Sequence, residues 1–476
     1  MAVLLLAGCA AGAPPAPSAV SAPVPLQWQA ALPHQGSVTE LGQWWRQQGD
    51  PLLAEVVAAA QAVSPTVAAS RSRIEQARAA RTAAGAALLP ALDASASLSR
   101  GRAQQATAGG NVPVVTVAQA GLQAAWEIDL AGGSRASLEA AAQRLLGADA
   151  LWHSARVSVA AEAASLYTGL RSCRELAGVT QRDADSRQET ARLSALSTQA
   201  GFTAPSADAL AWASAAEARG RSLRQSAQCE LDLKALVALS GIAEPDLRQK
   251  LAPVQVQPAQ EAMFSIAPIP AEVLAQRPDV FSAGREVAAA SADIGSAEAA
   301  RYPRLGLGGS IGAASLRAGG ATVSLDTWTI GPLALSLPLF DGGRRSANVE
   351  AARARYEEAA ALYRTSVRQA VREVEEALVN LQSSTARQGD ADAAVAGYRA
   401  AFAGTEALYQ GGLASLPQLE DARRSLLAAQ TGRVALQQER KAAGVALYRA
   451  LGGGWSPALA PLDAAGAGLP AAAAVR

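Results

Sequence analysis

The chain contains 476 residues with 42 basic and 41 acidic side chains, a balance that argues against a polybasic protein that binds nucleic acid. Aromatic residues make up only 4% of the sequence and alanine is abundant, which is typical of long, closely packed helices rather than of an enzyme with a large aromatic core. No apolar run reaches the roughly 18 residues of a membrane-spanning helix, so any passage through a membrane is expected to use closed β-strands.

The N-terminal residues resemble a bacterial lipoprotein signal. Leu6-Ala7-Gly8 precede Cys9, and in such signals the cysteine is lipidated and becomes the new N-terminus. Segment 1–9 lacks a basic region and its apolar stretch is short, so we interpret it as a truncated signal; the alternative is a chance cysteine. Ala10 favours sorting to the outer membrane, and residues 10–40 are expected to form a flexible tether.

The two halves of the chain resemble each other at a nearly constant offset. Pro90 matches Pro303, with 303 − 90 = 213, and Gly201 matches Gly412, with 412 − 201 = 211. An offset of this length excludes a short solenoid repeat and indicates duplication of a whole structural unit. We predict a first repeat over residues 41–250, a second over 251–455 and a flexible C-terminal tail over 456–476.

Each half contains the pattern of a β-hairpin. Apolar and polar residues alternate after Leu92 and again after Leu122, and Leu305 and Leu333 begin runs of the same phase in the second half. The predicted strands span about residues 90–100, 113–130, 303–316 and 326–340, with polar or glycine-rich tips at 101–112 and 317–321. The polar face is expected to line a lumen and to include Asp93, Gln123, Glu127 and Asp129.

Four strands cannot close a sheet on their own, and open edges in lipid leave backbone groups without hydrogen bonds. Three copies supply twelve strands, which can close. We therefore predict a homotrimer in outer-membrane lipid. The predicted fold class is mainly α with a membrane β-barrel: a duplicated unit of one β-hairpin and one long α-hairpin, four strands per protomer, a trimeric 12-stranded β-barrel and a long periplasmic α-barrel.

Long helices are predicted to follow each pair of strands. After the glycine pairs at 132–133 and 342–343 no proline occurs for roughly 70 residues, which corresponds to about 100 Å of helix. The chain then turns near Gly201 or Gly412 and returns as a second helix. The predicted helices span about 52–88, 132–199 and 205–240 in the first repeat, and about 270–301, 343–410 and 416–451 in the second.

Two cysteines lie at equal separations from the first turn, since 201 − 173 = 28 and 229 − 201 = 28. In an antiparallel helical hairpin that turns at Gly201, Cys173 and Cys229 would lie opposite each other, and an oxidising compartment permits a disulfide. We predict a Cys173–Cys229 bridge; the alternative is two buried thiols.

Four segments resemble the outer-membrane factor family, the TolC-like and NodT-type lipoproteins of tripartite efflux systems. They are Gly49-Asp50-Pro51-Leu52-Leu53, Trp126-Glu127-Ile128-Asp129-Leu130, Leu337-Pro338-Leu339-Phe340-Asp341-Gly342-Gly343 and Leu419-Glu420-Asp421-Ala422-Arg423-Arg424-Ser425-Leu426. The resemblance implies a lipid-anchored trimer in the outer membrane of a Gram-negative bacterium, with a tunnel through the periplasm. It also implies a periplasmic adaptor and an inner-membrane pump of the RND type. Such a duct conducts passively and needs no catalytic group, cofactor or metal.

The resemblance also places a pore gate at the periplasmic tip of the second hairpin, at Tyr409, Leu416, Pro417, Gln418 and Asp421. Three copies of Asp421 would form a carboxylate ring that favours cations. Leu416 is expected to act as a hydrophobic plug, because proline replaces the usual aliphatic residue at 417. The alternative for Asp421 is a cap near the start of the returning helix.

The two turns are the expected contacts with the adaptor. They comprise Gly201 and Phe202 in the first half, and Gly411, Gly412 and Leu413 in the second, where glycine lets a partner approach closely. The alternative is that these glycines serve only their turns.

The leading prediction is the outer-membrane channel of a tripartite efflux system that conducts small molecules. The alternatives are a duct for type I protein secretion and a periplasmic coiled-coil scaffold without a pore. The sequence indicates no enzyme. It also suggests no metal cluster, since His34 and His153 are too far apart in sequence. The glycines between Gly306 and Gly312 lie in a predicted strand rather than in a nucleotide-binding loop.

Overall fold

The computed structural model describes residues 20, 22–30, 44–47, 49–102, 114–252, 274, 276–318 and 320–455. The predicted lipidation site Cys9, the signal, most of the tether and the tail lie outside the described residues. The described chain divides into two compact units. The strand unit is built mainly from Ser72–Asp149 and Ser282–Thr365. The hairpin unit is built from the described residues of Pro23–Arg71, from Ala150–Phe281 and from residue 366 onward.

The strand unit contains one antiparallel sheet in the order β1-β2-β3-β4. The strands are β1 (Ala91–Arg102), β2 (Val114–Ile128), β3 (Arg304–Ala318) and β4 (Ala321–Ser336). β1, β3 and β4 extend into segments predicted as polar tips, because ladder pairing continues through residues whose sequence does not favour strands. β4 ends at Ser336, so Leu337 and Leu339 lie beyond it.

The register of the sheet confirms the alternation of faces. Asp93 pairs with Gln123, Gln123 with Ser310 and Ser310 with Thr329, so one polar row crosses all four strands. The Ser310 and Thr329 hydroxyl oxygens lie 2.8 Å apart. Glu127 lies on the same face because two-residue steps keep side chains on one side.

The opposite face is apolar and exposed. It carries a row in which Leu122 pairs with Ile311 and Ile311 pairs with Trp328. A β-bulge keeps the phase in β4, where Leu307 pairs with Leu333 but Gly309 pairs with Ile330. Between Ile330 and Leu333 the chain advances three residues while β3 advances two. The extra residue places Leu333 on the apolar face, so the apolar face continues to the end of β4.

Two glycines face each other where β2 and β3 meet. A Cβ on Gly121 would lie 2.9 Å from the Ile311 carbonyl oxygen, and a Cβ on Gly312 would lie 2.8 Å from that of Ala120. These strands therefore require glycine at both positions, because any side chain would push the ladder apart. Gly306 and Gly312 both lie within β3, as the sequence indicated.

The helices of the chain start with α1 (Trp44–Gln47), α2 (Pro51–Val63) and α3 (Pro65–Ala86). The prediction of one helix over 52–88 is wrong, because Ser64 precedes Pro65 and adopts an extended ψ of 122°. In the first repeat α4 (Gly133–Gln199) and α5 (Pro205–Ser240) form the first hairpin, and the unpredicted α6 (Glu244–Lys250) follows.

In the second repeat α7 (Pro278–Ala299) precedes β3. The second hairpin consists of α8 (Arg344–Ala386), α9 (Gln388–Gln410) and α10 (Leu416–Ala450). The predicted single helix over 343–410 is divided into α8 and α9 at Arg387, where the backbone stays in the right-handed helical region (φ −79°, ψ −8°) and the Arg387 N–H still donates to the Ser383 carbonyl at 3.2 Å. The predicted residues 270–273 lie outside the described ranges.

The hairpin unit has a continuous apolar core. Buried aliphatic side chains from both hairpins and α2 meet there, and each buried valine or leucine contributes about 1.5–3 kcal/mol relative to full exposure. Trp44 stacks on Tyr448 with ring centroids 5.1 Å apart. The largest fully buried members include Val56, Tyr167, Leu170, Leu233, Leu236, Leu378, Leu447 and Leu451.

Within the described ranges no single helix is both long enough and apolar enough to cross a membrane. By length and composition alone, the bent pair α2 and α3, which meet at 49°, passes the same criterion.

Candidate functional site

The turns of the two hairpins are built in the same way. Gly201 has a φ of 78° and Gly412 a φ of 75°, the left-handed conformation that glycine adopts most readily. The Phe202 N–H donates to the Ser197 carbonyl at 2.9 Å, and the Leu413 N–H donates to the Leu408 carbonyl at 2.8 Å. These bonds satisfy carbonyls at the helix ends, so both turns end their helix in a defined geometry.

Each turn presents an apolar side chain to solvent in the protomer. Phe202 is 86% exposed and Leu413 is 79% exposed. Gly411 has an ordinary right-handed φ of −80°, so its backbone does not require glycine. Among the predicted tip glycines, Gly201 and Gly412 are therefore explained by their turns.

The start of α10 is fixed by a capping box. The Ser415 side chain accepts from the Gln418 N–H, and the Gln418 side chain accepts from the Ser415 N–H at 2.7 Å. Pro417 lies in the first turn, where its missing N–H costs nothing. Gln418 and Pro417, both predicted as gate residues, are exposed in the protomer and shape this helix start.

Asp421 lies beyond the first turn and does not cap the helix. Its side chain is 72% exposed and accepts from Arg424 Nη1 at 3.2 Å. The capping alternative for Asp421 is wrong, because Ser415 supplies the cap.

Leu416 is buried, which contradicts its prediction as a plug exposed to a pore. Its side chain packs with Leu419 against alanines of the first hairpin, and Tyr409 lies half-buried at the edge of this cluster. The buried alanines are Ala191, Ala211 and Ala215. Burial raises the pKa of the Tyr409 phenol; Arg423 opposes this shift and Glu420 adds to it. The apolar face of α10 thus binds the first hairpin.

A buried ionic cluster adjoins these leucines. We call Asp183, Arg187, Glu420 and Arg423 the tip network. Glu420 Oε1 accepts from Arg423 Nη1 at 2.6 Å, and Glu420 Oε2 accepts from Arg187 Nη1. Arg187 Nε in turn donates to Asp183 Oδ1 at 3.0 Å.

Hydroxyl groups of the first hairpin complete the tip network. Ser214 donates to Glu420 Oε2 at 2.8 Å, and Arg423 Nη2 donates to Thr190 at 2.9 Å. The Arg423 guanidinium also lies 5.4 Å from the Phe402 ring centroid. Burial lowers the pKa of Arg423, although the Glu420 charge opposes this, and the group stays protonated because arginine does not titrate in proteins.

Sequence reasoning missed the tip network although a signal was present. The buried residues Leu416, Leu419, Glu420 and Arg423 follow the spacing of a helix seam, with steps of three, one and three. Asp421 lies off this seam. The pattern therefore marks Glu420 and Arg423 as groups that face the first hairpin.

Three of the four predicted lumen residues share one face of the sheet: Asp93, Gln123 and Glu127. Asp129 contradicts its prediction, because β2 ends at Ile128 and the carboxylate accepts from the Ser134 and Arg135 N–H groups at the start of α4. Burial would raise the pKa of Asp129, but the hydrogen bonds from Arg135 and Ser134 outweigh it and leave the pKa below its ordinary value. Asp341 accepts from the Arg345 N–H at the start of α8 in the same manner.

A disulfide joins Cys173 of α4 to Cys229 of α5, with Cα atoms 5.6 Å apart. The bridge lies in the core of the hairpin unit, where both residues are buried. It makes the first hairpin a covalently closed pair of helices, at the positions that the equal spacing from Gly201 indicates.

The model of the outer membrane efflux protein family matches residues 56–242 and 269–453. The two matches start 213 residues apart (269 − 56) and end 211 apart (453 − 242), the offsets found between the halves. The chain is 32% identical to the pyoverdine export outer membrane protein OpmQ of Pseudomonas putida, over 93% of this chain and 94% of that protein.

Two further proteins extend the comparison. Outer membrane protein OprJ of Pseudomonas aeruginosa is 30% identical, over 91% of each chain. The solved structure of the outer-membrane channel OprN superposes with a TM-score of 0.83 at 28% identity, over 92% of this chain and 98% of that chain.

Proposed function

Because the chain belongs to the outer membrane efflux protein family, we propose that three copies form a passive duct that conducts small molecules through the periplasm and the outer membrane. Family members of this kind are channels that work with periplasmic adaptors and inner-membrane pumps. In such a system the pump supplies the energy. The residues of the duct only set the width and the charge of the path.

The sheet carries this proposal. One face is apolar and exposed while the other bears the row from Asp93 to Thr329, and β1 and β4 pair on one side only among the described strands. A sheet in lipid must satisfy its edge hydrogen bonds, and pairing of β4 with β1 of the next copy does so for all three copies. Asp93, Gln123 and Glu127 would then face the lumen.

We propose that the gate ring contains Tyr409, Pro417, Gln418 and Asp421, without Leu416. Asp421 is exposed in the protomer, so three copies can present their carboxylates to a common axis and favour cations. Its ion pair with Arg424 is exposed and therefore weak, worth about 0–1 kcal/mol, so it does not prevent this role.

We assign the adaptor contacts to Gly201, Phe202, Gly411, Gly412 and Leu413. The exposed Phe202 and Leu413 support this assignment, because single large apolar side chains on rigid turns suit insertion into a partner. We further propose that lipidation at Cys9 anchors the chain and that the pump is of the RND type. Substrates would be small molecules; the relative OpmQ is named for the export of pyoverdine.

The test measures current through purified trimers in planar bilayers. We expect stable, cation-selective conductance, and we expect Asp421→Asn to lower the cation-to-anion permeability ratio about twofold or more. Asp392→Asn, an exposed carboxylate of α9, is the matched control and should leave the ratio unchanged. An unchanged ratio in Asp421→Asn would remove Asp421 from the gate, and no conductance at all would favour the scaffold alternative.

A further inference from the structure

Arginines mark the end of the sheet where β1 connects to β2 and β3 connects to β4. One row crosses all four strands there, because each residue pairs with the next across the sheet: Arg100, Thr116, Arg317 and Thr322. We call these four residues the arginine row. Both arginines are exposed, and their backbones lie two strand spacings apart, about 10 Å. Arg102, two residues beyond Arg100, adds a third exposed guanidinium on the same face.

The arginine row lies on the apolar face of the sheet. Arg317 is six residues from Ile311 (317 − 311), and this even step keeps both on one side. Thr116 and Leu122 on β2 are related in the same way (122 − 116). An arginine on a lipid-facing surface is costly at the centre of a membrane and is tolerated at its boundary, where polar partners are within reach. If the sheet stands in lipid, the row must therefore lie at a membrane boundary.

The length of the apolar face agrees with this position. Trp126 lies on the same face of β2, ten residues from Thr116 (126 − 116). At about 3.4 Å per residue this is about 34 Å along the strand, or about 24–28 Å across the membrane for a strand tilt of 35–45°. The apolar band of such sheets is about 25 Å tall, so Trp126 and the arginine row would stand at its two boundaries. α4 follows the Trp126 end, so in the proposed duct the arginine row faces the cell exterior.

No carboxylate accompanies the arginines at this end of the sheet. The sequence contains no acidic residue over 94–126 or over 299–325, so the connections between the strands add none. Within the described ranges Arg100 and Arg317 form no ion pair, and Arg317 Nε donates to the Thr322 hydroxyl at 3.3 Å. The row therefore presents uncompensated positive charge at the boundary that faces the exterior.

We propose that the arginine row binds the phosphate groups of lipid A, the phosphorylated glycolipid of the outer leaflet of a Gram-negative outer membrane. This inference rests on the proposed function, since it requires three copies to stand in that membrane. A guanidinium binds a phosphate through two parallel hydrogen bonds. The hydroxyls of Thr116 and Thr322 lie in the same row and can donate to further phosphate oxygens. Three copies would repeat this pair of arginines around the closed sheet.

The first test uses wild-type trimers of the full chain in detergent and measures their affinity for lipid A. Diphosphorylated lipid A is compared with the same glycolipid after removal of its phosphates, so that the sugars and acyl chains are matched. We expect the phosphorylated form to bind about tenfold more tightly or better, because only this form offers acceptors to the guanidinium groups. Equal affinities for the two forms would overturn the inference.

The second test changes the row itself. The double variant Arg100→Gln with Arg317→Gln should bind phosphorylated lipid A about tenfold more weakly and lose its preference over the dephosphorylated form. Arg304→Gln is the matched control, because it removes the same charge from β3 at the opposite end of the strand and on the other face (317 − 304 = 13, an odd step). Arg100→Lys with Arg317→Lys keeps the charge and should retain most of the preference.

A rival explanation involves Asp326 on β4. It lies on the same face, four residues from Thr322 (326 − 322), or about 14 Å along the strand. Since β4 would lie beside β1 of the next copy, Arg100 could pair with this carboxylate instead of with a lipid. The rival predicts that Asp326→Asn weakens trimers and that removal of the lipid phosphates changes nothing. It does not account for Arg317, which lies on an inner strand between two threonines of the row.

A double glutamine variant that assembles and keeps the wild-type preference would also overturn the inference. If that variant does not form trimers on a native gel, the comparison of the two lipid forms on the wild type still decides. Failure of the proposed function looks different, since wild-type trimers would then carry no current in planar bilayers, whatever their affinity for lipid A.

Discussion

Removal of the disulfide should weaken the first hairpin and leave the second one unchanged. Cys173 and Cys229 are separated by 56 residues in sequence. In the chain-entropy treatment, a loop of that length reduces the entropy of the unfolded chain by about 14 cal/mol/K, or about 4 kcal/mol at 25 °C. The double variant Cys173→Ala with Cys229→Ala should lose stability up to this amount, since both side chains are small and the hydrogen bonds of the helices remain.

Hydrogen exchange is the appropriate assay, because it follows local opening within an assembled protein. A loss of about 4 kcal/mol corresponds to opening of α4 and α5 up to roughly a thousandfold more often. The second hairpin is the internal control, since the offset places Ser384 (173 + 211) and Arg440 (229 + 211) at the equivalent positions. Exchange that rises less than about threefold in α4 and α5, or equally in α8 and α10, would refute the reasoning.

Three further outcomes are expected. Asp279 is half-buried, which alone would raise its pKa, but its hydrogen bonds and ion pair with Arg277 leave the pKa below the ordinary value. This carboxylate therefore stabilises the fold above about pH 4 and loses that contribution as the pH falls below it, so Asp279→Asn should reduce the melting temperature at pH 7 but progressively less in acid. A melting difference that persists unchanged at pH 3 would contradict this. Gly312→Val should prevent pairing of β2 with β3 and abolish trimers on a native gel, whereas Gly101→Val in β1, with open space around its Cβ, should still assemble. Ser415→Ala should cost about 1 kcal/mol of local stability at the start of α10, seen as faster exchange there, and Ser415→Asp should retain the cap.

Periodicity was sufficient to predict the general fold. The alternation after Leu92 and Leu305 identified strands and their faces, because a two-residue period is visible in one sequence without knowledge of partners. Element ends were less accurate. Ser64 shows one reason. The residues on both sides of it favour a helix, but Pro65 restricts the backbone of Ser64 to an extended conformation and ends α2 there.

The candidate site was only partly predictable. The glycine at each turn and the spacing of the cysteines are local features, and they located Gly201, Gly412 and the bridge. Asp129 was misassigned because alternation continues past the last paired residue, whereas in the folded chain its carboxylate lies at a helix start. Glu420 and Asp421 are neighbours of similar chemistry, and which one is buried depends on the rotation of α10 against the first hairpin.

The bulge in β4 bears on how the two halves could diverge after duplication. In an alternating strand, insertion or deletion of one residue moves every later side chain to the opposite face of the sheet, so a length change of one residue normally disrupts the separation of the two faces. The extra residue at the bulge absorbs such a change, because Leu333 and Leu335 keep the face of Ile330 in spite of the odd step. The second hairpin can therefore differ in length from the first by an odd as well as an even number of residues. In either case its apolar side chains stay on one face of the sheet.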